Sequence, residues 1–310
     1  EKRKAMIRQK AKEMGYLPNM AARALKTKMT HNIGVLFIDD YHSGLTHPYF
    51  APVLESLKTE VENLGYDITF INKNVGGREM SYLEHCRYRN VDGVVIANVD
   101  FTKEEVVELV ESDIPVVTID HVFNNCLAVV SDNIKGIREL TEYVISMGHK
   151  KIAYIHGQQN SVTKVRLASF YRTMEEHGLT VPDEYVPEAP YLEAEASAEA
   201  TKKLLALKNP PTCILYPDDY TAIGGIAVIR EAGLSIPSDI SVAGYDGISL
   251  IQQFLPKLTT YAQDMSGIGK AAAQAIVDQI ERPKSALVEL IVKAGAVMPG
   301  ASVRCLNENE

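Results

Sequence analysis

At 310 residues, with 46% hydrophobic and 23% charged side chains, the chain has room for two lobes of ordinary size and the composition of a packed protein, which excludes disorder. No apolar run approaches the roughly 20 residues of a membrane span, and the basic N-terminus leads into an amphipathic segment instead of an apolar signal core, so a cytoplasmic protein is expected. The net charge of −8 is divided unevenly: residues 1–30 hold nine Lys or Arg against Glu1 and Glu13, so a segment of +7 precedes a body of −15. That balance suits a molecule in which one end meets phosphates and the other stays off them.

In chain order, EKRKAMIRQKAKEMGY predicts a basic helix with Ala5, Ile7, Ala11 and Met14 near one face and Gly15 as its stop. Asn19 is placed to cap a second, very short helix carrying Ala22, Arg23, Leu25 and Lys26. A helix of about eight residues needs a partner or a template to hold in water. From Ile33 a unit recurs: an apolar β-rich run, a loop, an amphipathic helix and often a glycine. The runs are IGVLFI from Ile33, DITFIN from Asp67, GVVIAN from Gly93, PVVTID from Pro115, KIAYIHG from Lys151, TCILYP from Thr212 and SVAGYD from Ser241. Their continuous apolarity suits parallel strands covered on both faces. In PVLESLKTEVENLG, the residues Val53, Leu54, Leu57, Val61 and Leu64 fall on one stripe that Gly65 ends, and Gly148, Gly178 and Gly233 mark similar stops. SGIGKAAA reads as a helix opening with Ser266 as its cap. Strands alternating with helices predict a doubly wound parallel α/β fold. The spacing fits one large sheet or two smaller ones.

Ligands of such sheets bind beyond the C-terminal ends of the strands. Polar groups stand there: Asp39 and Asp40, Asn98, Asp120 and His121, Asp218 and Asp219, and Asp246. No clustered His or Glu completes a coordination set, so no metal is expected. Cys86, Cys126, Cys213 and Cys305 lack C-x-x-C spacing, which argues against a zinc site and a disulfide framework. Neither GISLIQ nor SGIGKAAAQ matches a phosphate-binding glycine motif, and no Ser-His-Asp or Cys-His order stands out. No cofactor, no catalytic residue and no enzyme activity is expected.

Y-x-P-N-x-x-A-R-x-L, present as Tyr16, Pro18, Asn19, Ala22, Arg23 and Leu25, resembles the hinge-helix signature of the lactose-repressor (LacI/GalR) family, and later motifs agree in order and spacing. HPYF at His47–Phe50 resembles the family's N-P-F-F turn, with His47 in place of Asn. MGHKKIAYIHG at Met147–Gly157 resembles the segment that opens the second lobe, IPSDISVAGYDG at Ile236–Gly247 resembles I-P-x-D-I-S-V-x-G-Y-D-D, and LTTYAQDM at Leu258–Met265 resembles the L-T-T-x-x-Q crossover. The resemblance implies two doubly wound parallel-sheet lobes of the periplasmic-binding-protein-like type I plan, behind a short N-terminal helical arm. Residues 1–30 would hold the end of a helix-turn-helix headpiece and the hinge helix. Residues 31–131 with 262–284 would form the first lobe, and 132–261 with 285–310 the second.

In function, the resemblance implies a homodimeric DNA-binding transcriptional repressor whose grip on operator DNA is set by a small effector, foremost a sugar, held between the lobes. Asn19, Ala22, Arg23, Leu25 and Lys26 would meet the DNA, with Leu25 of each hinge helix wedged into a base step. The first two headpiece helices have no counterpart in the sequence, so sequence-specific reading is expected to be weak. Effector contacts carried over are Tyr49, Phe50, Arg166, Asp218, Asp246 and Gln263, with Asp120 a further candidate at a first-lobe strand end. Aromatic faces cover the C–H face of a pyranose, while Asp, Arg and Gln pair with vicinal hydroxyls. Arg166 also leaves a sugar acid or a phosphosugar open. The alternative is a periplasmic sugar-binding protein of a transporter, which shares the architecture; the hinge-like arm in place of an export signal argues against it.

Overall fold

Uninterrupted apolar runs become strands wrapped on both faces, and here they build two sheets. The computed structural model describes residues 2–16, 29–39, 43–253 and 255–307. Its strands are β1 (Asn32–Phe37), β2 (Asp67–Phe70), β3 (Asn74–Val75), β4 (Arg78–Glu79), β5 (Gly93–Ala97), β6 (Val116–Ile119), β7 (Leu127–Ser131), β8 (Ile152–Tyr154), β9 (Cys213–Leu215), β10 (Ser241–Asp246), β11 (Thr259–Ala262), β12 (Leu290–Lys293) and β13 (Ala296–Met298). The first sheet is parallel throughout, in the order β12-β7-β6-β5-β1-β2. The second runs β13-β11-β10-β9-β8, with only β13 antiparallel, and β3 and β4 form a small hairpin.

The helices are α1 (Lys2–Glu13), α2 (Phe50–Asn63), α3 (Tyr82–Arg89), α4 (Glu104–Val110), α5 (Asn133–Ser146), α6 (Ser161–Glu176), α7 (Ala194–Leu205), α8 (Asp219–Glu231) and α9 (Met265–Glu281). Side chains alternate across each strand, so one run serves two cores. Val94 and Ile96 of β5 pack with Leu83, Cys86, Val106 and Leu109, while Val95 and Ala97 join the cluster that holds Val53, Leu57, Ile268 and Ile276. In the second sheet, Ala243 and Tyr245 pack with Ile137, Leu140 and Phe170, and Val242 joins the cluster of Leu204, Ile226 and Ile229. Each Val, Leu, Ile or Phe among them contributes roughly 1.5–3 kcal/mol by leaving water.

Three short links tie the sheets together: Ser131 to Asn133, Ala262 to Met265, and Lys293 to Ala296. The last corrects one boundary, because 285–310 does not belong wholly to the second lobe. β12 pairs in parallel with β7, from Leu290 against Ala128 to Lys293 against Ser131, and so closes the edge of the first sheet. α9 packs across α2, close enough that a Cβ at Gly269 would overlap the carbonyl of Val53. Its cap is Asp264, whose side chain accepts from the Gly267 amide, and not Ser266.

In the arm, α1 ends at Glu13 ahead of Gly15, which takes the left-handed conformation (φ +65°) that a helix stop requires. Ile7 and Met14, expected on one face, are both exposed. Asn19, Ala22, Arg23, Leu25 and Lys26 lie outside the described residues.

Candidate ligand-binding site

The C-terminal ends of the strands in both sheets converge on a buried group of polar side chains. On the second-lobe side its centre is Arg166, on α6 and only 4% exposed. An isolated charge at such a position is very costly, so its partners are decisive. The Arg166 Nε donates to Asn133 Oδ1 at 2.7 Å, Nη1 donates to the Pro217 carbonyl at 3.0 Å, and the guanidinium lies 3.7 Å from the centre of the Tyr245 ring. Tyr191 stands farther off, at 5.9 Å. Burial works against the charge most strongly, yet Tyr245, Tyr191, Tyr154 and Asp246 together outweigh it and hold the guanidinium above its ordinary pKa. Arg166 is therefore a fixed cation with its plane set by a ring face and two acceptors.

Asp246 ends β10 with φ +110°, a backbone region that only glycine enters at low cost. Its Oδ1 accepts from Gln263 Nε2 at 2.6 Å, and its carbonyl accepts from the Gln263 amide at 3.0 Å. Burial pushes its carboxyl well above the usual range, and Arg166 pulls in the opposite direction. The strained turn is held by Asp219, which opens α8 and accepts from the Gly247 and Ile248 amides at 2.7 and 2.9 Å and from Thr260 Oγ1 at 2.6 Å. Burial raises the Asp219 carboxyl to about 7.

The first lobe contributes Tyr49 and Asp120. Tyr49 precedes α2 and donates its hydroxyl to Asp120 Oδ2 at 2.7 Å, while Asp120 Oδ1 accepts from the Ser131 amide at 3.0 Å. Asp120 follows β6 in the left-handed conformation, φ +57°. Burial, above all, raises the pKa of both groups; Asp246 acts on Tyr49, and Arg166 acts on Asp120. These influences bring the two lobes' residues into one electrostatic neighbourhood.

The other residues singled out in the sequence have further partners. Phe50 is buried in an aromatic cluster with Phe37, His47 and Tyr49, with ring centres 4.9 to 5.6 Å from its own, and serves the first-lobe core. His47 caps α2 through Nδ1, which accepts from the Tyr49 and Phe50 amides; burial lowers its pKa, consistent with a neutral acceptor. Asp218 commits both oxygens to backbone, Oδ1 to the Thr221 amide and Oδ2 to the Leu192 amide, so it is the cap of α8. Asp39 binds Ser43 and Gly44, and His121 stacks on Phe101 at 4.2 Å. Asp40 lies outside the described residues. Among these residues, no group of His, Cys, Asp and Glu has the geometry to hold a metal, and no helix is long and apolar enough to cross a membrane.

Sequence reasoning missed Asn133, Tyr191 and Tyr245. Asn133 follows the Asp132 cap at the first link between sheets, where S-D-N marks a strand turning into a helix. Tyr245 sits inside SVAGYD and reads as a core residue until Arg166 is placed on its ring.

A model of the periplasmic binding protein-like domain matches residues 141–303. The chain is 31% identical over 286 residues to the HTH-type transcriptional repressor PurR of Pectobacterium atrosepticum, covering 90% of this chain and 82% of that protein. Among solved structures, the lac repressor dimer bound to operator and the anti-inducer ONPF aligns with a TM-score of 0.76 at 21% identity, over 93% of this chain and 99% of that one. The transcriptional regulator CelR in complex with cellobiose aligns equally well, at 0.76 and 21%, over 96% of this chain and 89% of that one. Such structural likeness speaks for the fold, and the PurR match extends it to kinship. With its hinge signature, strand-end motifs and two-sheet architecture, the chain belongs to the LacI/GalR family of transcriptional regulators.

Proposed function

We propose that this protein is a DNA-binding repressor, acting in the cytoplasm without turnover chemistry, whose operator affinity is set by a small effector held between its lobes. The observation that carries this reading is the burial of Arg166 and Asp246 together at the strand ends of the second sheet, facing Tyr49 and Asp120 of the first. Buried charge that the fold does not need for its core is the mark of a recognition site. Tyr49, Asp120, Arg166, Asp246 and Gln263 are the proposed contacts. Phe50 and Asp218 act behind them by shaping Tyr49 and α8. The name of the PurR relative supports repression, and the cellobiose complex of CelR supports a carbohydrate as the ligand class.

The mechanism is a population shift. An effector that bonds to Asp246 and Arg166 on one side and to Tyr49 and Asp120 on the other favours one setting of the lobes, by as much as its differential affinity. The three links between sheets transmit that setting. A homodimer is part of the proposal: Leu45 and Phe70 stand exposed beside a groove of about 480 Å³ lined also by Leu54, Lys58 and Ile68, an apolar face suited to a second copy. Asn19, Ala22, Arg23, Leu25 and Lys26 are the proposed DNA contacts.

A thermal-shift screen of monosaccharides, disaccharides, sugar phosphates and nucleobases tests the reading. A ligand at 100 times its dissociation constant stabilises by about 2.7 kcal/mol, and Asp246→Ala is expected to abolish the shift. A shift that persists undiminished in that variant places the ligand elsewhere.

A further inference from the structure

Carbohydrate-sized ligands come in uncharged and anionic forms, and the two ask different things of a cleft. In α/β folds a phosphate or carboxylate is commonly received by free amides at a helix N-terminus, where the helix dipole adds a favourable field. At the helices that adjoin the proposed contacts a side chain of the protein already stands at that position and takes one or two of the first-turn amides. His47 Nδ1 accepts from the amides opening α2, and Asp132 accepts from Lys135 in α5. Asn160 accepts from Thr163 in α6, Asp218 from Thr221 in α8, and Asp264 from Gly267 in α9, all at 2.7 to 2.9 Å. Three of these five caps are carboxylates. α4 and α7 lack a side-chain cap and instead open with acidic residues, Glu104 and Glu105 in one and Glu195 in the other.

The side chains point the same way. Arg166 is the one cation among the effector-site candidates, set against Asp120, Asp218 and Asp246. Two of its donor positions are spent on Asn133 and Pro217. A ligand anion would face one cation and three carboxyl groups, and would add a further charge to surroundings whose burial already disfavours negative charge. Hydroxyls suit the same surroundings: Asp246 keeps one oxygen outside its bond to Gln263, and the Tyr49–Asp120 pair can both donate and accept.

We infer that the cleft takes an uncharged polyhydroxylated ligand and rejects the phosphorylated or carboxylate form of the same compound. This deepens, and rests on, the proposed reading of the cleft as the effector site. Matched pairs titrated calorimetrically against the full chain test it: ribose with ribose 5-phosphate, glucose with glucose 6-phosphate and glucuronate, and cellobiose with cellobionate. The expected result is an uncharged member that binds, an anionic counterpart roughly 100-fold weaker or worse, and loss of the uncharged member's binding in Asp246→Ala. An anion that binds as tightly as its uncharged partner, and loses that binding in Asp246→Ala, overturns the inference and leaves the cleft reading standing. Uncharged binding that survives Asp246→Ala unchanged removes the cleft reading itself. A panel in which no uncharged member binds also counts against the inference.

Discussion

The second-lobe wall of the proposed site is fastened by bonds from several separate elements, whereas the first-lobe wall rests on one Tyr49–Asp120 pair. Arg166 is bound to Asn133, Pro217 and the Tyr245 ring, Asp246 to Gln263, and the turn behind Asp246 to Asp219. Across from it, Tyr49 meets Asp120 through a single O–H···O bond backed by the Ser131 amide. A wall whose polar groups are fixed before the ligand arrives supplies recognition at little cost in ordering. A pair joined across one O–H···O bond can exchange that bond for one to a ligand, which is what the proposed closing half requires.

The contrast predicts unequal consequences when each wall is broken. The largest effect is expected for Arg166→Met, which keeps the bulk but leaves Asn133 Oδ1 and the Pro217 carbonyl without their donor and Asp246 without its compensating charge. Removing one member of a buried charged set costs about 3–5 kcal/mol, read as a drop in unfolding free energy in urea. A loss below about 1 kcal/mol, the range of exposed ion pairs, would show that Arg166 is solvated and the fixed wall is not fixed.

Next comes Asp219, whose carboxyl is raised to about 7 by burial from an ordinary 3.8. The folded state therefore holds this proton more tightly than the unfolded chain. Its contribution is fully present below pH 3.8 and is lost as pH rises through about 7. Asp219→Asn removes the titration, so the stability of the natural chain relative to the variant is expected to fall steadily over that window. A difference that stays flat with pH contradicts the burial assigned to this clamp.

The smallest effect is expected on the first lobe. Tyr49→Phe removes the hydroxyl and leaves Asp120 its Ser131 amide, so stability should change by about 1 kcal/mol. Effector affinity should fall by a comparable factor, measured by calorimetry. A loss as large as that of Arg166→Met would erase the asymmetry between the walls.

Much of this was legible in the sequence because it rests on local patterns. IGVLFI, GVVIAN, PVVTID and SVAGYD became buried strands since a run apolar at every position has nowhere to go but between two helical layers. Gly65 and Gly233 ended their helices with φ of +83° and +76°, the conformation their position demands. What stayed hidden depends on contacts far apart in the chain. Leu290–Lys293 reads only as a short alternating segment, and nothing local says that its partner is β7, more than 150 residues earlier. Asp218 and Asp219 are neighbours of one residue type. Their division of labour, one capping α8 and the other clamping the Asp246 turn, follows from which backbone amides the tertiary fold brings to each. Tyr49 and Phe50 are adjacent aromatics with different surroundings, the Phe50 ring against Phe37 and His47 and the Tyr49 hydroxyl on Asp120, and the sequence does not separate them.

A ligand held between the lobes touches both walls at once, and amide hydrogen exchange reads both in one experiment. With a bound effector identified, protection is expected to rise together at the Ser131 amide, which reports Asp120, and at the Gly247 and Ile248 amides, which report the Asp246 turn. Protection confined to one of these sites, or appearing only on the outer face of α2, would contradict a cleft that closes around its ligand.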